Sequence, residues 1–154
     1  MTVIAIDPGL HGAVARLSDD GLLVEDMPNV GGDVDAWGLS HLLLDWGSLC
    51  DWQGERDPTV YVEKVHSMPK QGVASTFKFG VSYGAVLGVV ATLELPVVHV
   101  TPTTWTRWHK LGADKGEHRK RAMETWPQCA ALFRRVKDDG RADAALIAAW
   151  GAKQ

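Results

Sequence analysis

The sequence predicts an α/β domain: a five-stranded mixed β-sheet flanked by α-helices. Three observations point there. Three short apolar strands open the chain, two further β-branched runs follow with helical stretches between them, and an alanine-rich helix ends it.

Residues 2–7 (TVIAID) are β-branched and apolar and stop at Pro8-Gly9, a strong strand terminator. Residues 12–17 and 22–27 form the next two strands, joined by Ser18-Asp19-Asp20-Gly21, a hairpin-type turn that makes an antiparallel start. Leu39, Leu42, Leu43 and Trp46 fall at helical spacing within residues 34–50, with Asp33 or Asp35 as N-cap. Residues 59–63 (TVYVE) are a fourth strand. A long helix follows over residues 73–93, rich in Ala, Gly and Val, with Gly80, Gly84 and Gly88 four apart. Each helical glycine costs about 1 kcal/mol relative to alanine. Their spacing therefore suggests a face packed closely on the sheet or on a partner. Residues 97–100 are a fifth strand, halted by Thr101-Pro102. Helical pieces near 103–109 and 115–126 precede a last helix from about 141 to 150.

The 154 residues suit one domain, with no repeat, low-complexity tract or linker to divide them. No apolar run reaches the roughly 20 residues of a membrane span, and the first residues lack a basic signal-peptide region. Cys50 and Cys129 have no ligand spacing, so a reduced, cytoplasmic protein without soft-metal sites is expected. Net charge is −3, but it is unevenly placed. Residues 1–57 hold eleven acids and two bases, and residues 58–154 hold eight acids and fourteen bases. That asymmetry suggests one face for a polyanion.

The acids are the candidate chemistry. Asp7 ends an apolar strand on the same face as Val3 and Ala5, where a lone carboxylate is costly unless a cation or donor meets it. Glu63 ends the TVYVE strand in the same way. Asp139 and Asp143 lie four apart at the start of the last helix. Taken singly, each acid has a plainer reading: a turn cap for Asp7, an ion pair with Lys64 for Glu63, and an N-cap suited to the helix dipole for Asp139. Taken together, strand-end carboxylates that converge form an oxygen cage for hard divalent ions. Two such ions can activate a water and stabilise the leaving oxygen in phosphodiester cleavage.

The ordered set IDPG (residues 6–9), VEKV (62–65), GADK (112–115) and DGRADAALIA (139–148) resembles the RuvC family of Holliday-junction resolvases, within the RNase H-like nucleases, and its short phage-type members above all. The resemblance runs through most of the chain. It implies an RNase H-like fold, with Asp7, Glu63, Asp139 and Asp143 as catalytic ligands of two Mg²⁺ ions, replaceable by Mn²⁺. Lys115 then stands as an active-site phosphate contact. Cutting of branched DNA, the four-way junction foremost, to 5′-phosphate and 3′-hydroxyl ends follows, in a bacterial or phage-infected cell. Two departures stand out. Cellular members place the last two ligands three residues apart, which here would be Gly140, so Asp139 takes the role, with Asp138 as the alternative. Thr106 stands where phage-type relatives often have a lysine.

DNA-backbone contacts are expected from two basic stretches: Lys70 and Lys78, and Arg107, Lys110, Lys115, Arg119 and Lys120. Phe77, beside Lys78, and Phe79 are candidates for stacking at a branch point or for core packing. The seven tryptophans read mainly as core and interface residues. A two-fold junction cut on opposed strands calls for a C2 homodimer. Rival readings keep the acids but change the job: a nuclease for flaps, forks or RNA–DNA hybrids, or a DNA-binding module without catalysis. An actin-like ATPase would need far more chain.

Overall fold

The computed structural model describes residues 1–48, 58–64 and 72–154. Its main sheet has five strands in the order β3-β2-β1-β6-β7, formed by β1 (Val3–Asp7), β2 (Ala13–Ser18), β3 (Gly21–Asp26), β6 (Thr59–Glu63) and β7 (Val97–Val100). β1, β2 and β3 are antiparallel, whereas β6 joins β1 in parallel and β7 joins β6 in parallel. The predicted mixed sheet is present with every strand in place. The Asp19-Asp20 turn closes on Gly21, whose φ of 122° suits glycine. A two-residue pair absent from the sequence reading, β4 (Asn29–Val30) with β5 (Asp33–Val34), follows β3. Asp33 belongs to that pair, so Asp35 immediately precedes α1 (Ala36–Ser48).

Period-two alternation sorts the sheet into two unlike faces. Ile4, Ile6, Val14, Val60 and Val62 point to one side, where Leu39, Leu43 and Trp46 of α1 and Val86, Val89 and Val90 of α2 (Val73–Thr92) cover them. Val3, Ala5, Ala13, Ala15 and Tyr61 point to the other, against Ala142, Ala144, Ala145 and Ala148 of α5 (Asp139–Gly151). Alanine opposite alanine lets α5 lie close to the sheet. Its Leu146 and Ile147 are fully buried, each contributing roughly 1.5–3 kcal/mol. Between β7 and α5 the chain forms α3 (Pro102–Trp108), α4 (Lys115–Thr125) and the 3-10 stretches Pro127–Phe133 and Val136–Asp138, which the sequence reading did not separate.

One expectation needs correction, and one of two alternatives for the α2 glycines is removed. α2, at 20 residues, is long and apolar enough to cross a membrane by length and composition, contrary to the reading that no run reaches that length. In this fold its Val86, Val89 and Val90 pack into the core. Gly80, Gly84 and Gly88 do not face the sheet, because a Cβ at any of them would meet nothing within 4 Å. The tryptophans divide as well: Trp46, Trp105 and Trp126 are buried, whereas Trp37 and Trp108 are exposed.

Candidate active site

Register decides where the acids go. β1 and β6 run parallel with Ile6 opposite Val62. Asp7 and Glu63, one residue further on, therefore end neighbouring strands on the same face. It is the face α5 covers, and Asp143, in the second turn of α5, enters there fully buried. The turn after β1 folds back so tightly that a Cβ at Gly12 would lie 2.1 Å from the carbonyl oxygen of Asp7.

α4 supplies the positive charge. Asp114 caps it by accepting from the Gly116 amide at 2.7 Å, which sets Lys115 at the first turn. The Lys115 ammonium donates to Asp143 Oδ2. One turn on, buried His118 meets Asp143 Oδ1 through Nδ1 at 2.7 Å and the Gly112 carbonyl through Nε2 at 2.8 Å. Both partners accept, so the ring satisfies both bonds as the imidazolium. Burial pulls the His118 pKa down, but the bonds to Asp143 and Gly112 outweigh it and hold the pKa above its ordinary value. From α3, buried Trp105 donates its indole N–H to Glu63 Oε1 at 2.8 Å.

The electrostatics show that these groups share one field. Burial, then the charges of Glu63 and Asp143, push the Asp7 carboxyl up to about 7, against the opposing pull of Lys115 and the Gly9 amide. Glu63 is raised by burial and by Asp143, while the Trp105 hydrogen bond works against the rise. Burial lowers the Lys115 pKa, but its pair with Asp143 and the charges of Asp7 and Glu63 leave it raised overall. Three carboxylates that raise or answer one another's charge form an all-oxygen set suited to a hard divalent cation. Among the described residues, no three His, Cys, Asp or Glu side chains form a ready-made metal cage. Both oxygens of Asp143 are taken by Lys115 and His118. The chemistry of the donor set fits such an ion, and Lys115 is the cation it would displace.

The two aspartates before Gly140 differ sharply. Asp138, not Asp139, is the N-cap residue of α5, and Arg135 holds it through Nε at 3.0 Å, the guanidinium at 2.8 Å and its own backbone amide at 2.8 Å. Asp139 is half-buried and lines a cleft of about 360 Å³ together with Asp7, Lys78, Phe79 and Gly140. Gly140 itself leaves no room for a side chain. A Cβ there would lie 2.4 Å from the His11 carbonyl oxygen.

A second cleft of about 350 Å³ opens beyond Glu63, lined by Trp105, Thr106, Lys115 and His118 among others. The carboxylates thus stand between two open grooves. Lys78 and Phe79 border the first, and Phe77 projects outward with 72% of its surface exposed. Neither phenylalanine is a core residue. Arg107, Lys110 and Lys120 are exposed, but Arg119 is partly buried and turned toward the Arg134 carbonyl at 3.4 Å. Lys70 and Cys50 lie outside the described residues. The sequence reading missed Trp105 and His118. The i, i+3 spacing of Lys115 and His118 was a usable signal for the latter. Nothing local ties Trp105 to Glu63, 42 residues away.

No family model matches the sequence, and no curated protein matches it. Among solved structures, the chain is similar to Thermus thermophilus RuvC in complex with a Holliday junction substrate, with TM-score 0.68 and 20% identity over 99% of this chain and 95% of that one. It is also similar to T. thermophilus RuvC in a second structure, with TM-score 0.56 and 21% identity over 99% of this chain and 96% of that one. The mixed five-stranded sheet and these likenesses define an RNase H-like α/β fold.

Proposed function

We propose that this protein is a Mg²⁺-dependent endonuclease that resolves four-way junctions and related branched DNA. The observation that carries the reading is the convergence of Asp7, Glu63 and Asp143, from β1, β6 and α5, around the Lys115 ammonium. The structural neighbour in complex with a Holliday junction supports the choice of substrate.

Asp7, Glu63 and Asp143 would hold the metal, with Asp139 at the cleft rim as the fourth ligand. Two Mg²⁺ ions there, or Mn²⁺ in their place, supply an activated water and charge stabilisation at the departing 3′ oxygen. The remaining work falls to the chain. Lys115, released from Asp143, is placed to meet a phosphate oxygen. Lys78 on one groove and exposed Arg107, Lys110 and Lys120 hold the backbone on either side, which makes binding salt-dependent. Phe79 borders the first groove, and Phe77 stands exposed on the opposite side of α2.

Paired cuts call for paired sites, and α2 offers a seam for a two-fold homodimer. Its outer surface exposes Val73, Phe77 and Val81 beside the open Gly80, Gly84 and Gly88. Glycines at this spacing let a second helix approach closely.

The test is a labelled four-way junction with a mobile core, compared with flaps, forks and RNA–DNA hybrids, with and without Mg²⁺. Opposed nicks in the junction are expected only with the metal. Asp7→Asn should lose them while keeping junction binding. Cleavage at unchanged rate by Asp7→Asn would overturn the assignment, and preference for another substrate would replace the junction.

A further inference from the structure

We infer that Trp105 and His118 are positioning residues that orient the two carboxylates Glu63 and Asp143 for cation binding, an inference that rests on the proposed metal-dependent activity. Each carboxylate has one oxygen held by a buried ring nitrogen. Trp105 Nε1 donates to Glu63 Oε1 at 2.8 Å, and His118 Nδ1 meets Asp143 Oδ1 at 2.7 Å. Trp105 is 1% exposed and His118 2%, so water does not compete for these bonds.

The two rings also hold each other. Their centroids are 5.1 Å apart at 70°, an edge-to-face contact. His118 is fixed from behind by the Gly112 carbonyl at 2.8 Å, and Trp105 packs edge-on to His109, whose Nε2 bonds the Leu146 carbonyl at 2.8 Å. Helices α3 and α4 thereby form one stiff layer behind acids carried by β6 and α5. The indole N–H only donates, so it pins Glu63 Oε1 in a single role and leaves Oε2 for the shared pocket. On Asp143, His118 occupies Oδ1 and leaves Oδ2, the oxygen that now holds Lys115, as the exchangeable one. Partners that orient ligands in this way typically account for about 10- to 100-fold in metal affinity.

The experiment measures Mn²⁺ binding to the DNA-free protein by electron paramagnetic resonance, alongside the Mg²⁺ concentration for half-maximal junction cleavage. The variants are Trp105→Phe and His118→Gln. A further variant replaces Trp105 with benzothienylalanine, which keeps the ring shape and removes only the N–H, so a folding defect in Trp105→Phe does not decide the outcome. Weaker Mn²⁺ binding by about 10-fold or more, an equal rise in the Mg²⁺ requirement, and unchanged junction affinity are expected. The benzothienyl effect should vanish in a Glu63→Gln background. Unaltered Mn²⁺ affinity in the benzothienyl and His118→Gln proteins, with metal-dependent cutting intact in the parent, would overturn the inference alone. A parent protein that binds no Mn²⁺ would overturn both the inference and the proposed activity.

Discussion

Two helices of this protein with similar shares of apolar residues, α2 and α5, are used in opposite ways. α5 has nine of its thirteen residues buried and lies on an alanine-lined face of the sheet. α2 has four of twenty buried and turns Val73, Phe77, Val81 and its glycines outward. Apolar composition alone does not separate them. What separates them is the neighbour: small residues on the facing strands draw α5 in, and nothing in the described chain covers the outer side of α2. The α5 face also holds every acid of the candidate site, since alternation along β1 and β6 places Asp7 and Glu63 there. The face under α1 and α2 is lined by large aliphatic side chains.

The largest effect should come from forcing α5 away from the sheet. Gly140→Val would drive side-chain atoms into the His11 carbonyl, and a loss of about 3 kcal/mol is expected in chemical denaturation. Near-neutral behaviour would mean that the helix start sits further from the β1–β2 turn than described.

Next comes the charge this face confines. The Asp7 pKa is raised from 3.8 to about 7 in the folded protein, so folding is favoured with the proton on and opposed once it leaves. The penalty is absent below about pH 4, grows up to about pH 7, and is complete above that. Without divalent ions at pH 8, Asp7→Asn should therefore be more stable than the parent by on the order of 2 kcal/mol. The difference should shrink on acidification, and equal melting curves at both pH values would contradict the described field.

A third change addresses α2. Phe77→Glu with Val81→Glu should leave the fold intact and convert the proposed dimer to monomers in analytical ultracentrifugation. A persistent dimer would move the seam elsewhere. The smallest effect is expected from Gly84→Ala, because the added methyl meets open space. The monomer should gain up to about 1 kcal/mol from helix propensity.

The five strands, the antiparallel start of the sheet and the acids that end β1 and β6 were largely legible in the sequence, whereas the strand order and the parallel pairing of β1 with β6 were not. Period-two alternation, turn residues and strand-end acids are local signals, whereas the β1–β6 register that puts Asp7 and Glu63 on one face depends on pairing distant in the chain. What was not legible depends on groups distant in the chain. Only Arg135 distinguishes Asp138 from Asp139, by claiming the former's carboxylate. The backbone of His11 and Gly12, pressed against position 140, explains why glycine stands there. The direction in which Gly80, Gly84 and Gly88 face, and the hold of Trp105 on Glu63, are likewise properties of packing.

The central claim is that separate carboxylates form one cation pocket now bridged by a lysine. Crystals grown with Mn²⁺ and measured at its absorption edge test this most directly. Anomalous density touching Asp7, Glu63 and Asp143, with the Lys115 ammonium moved off Asp143, is the predicted result. Lys115 still paired to Asp143, with manganese absent or bound elsewhere, would contradict it.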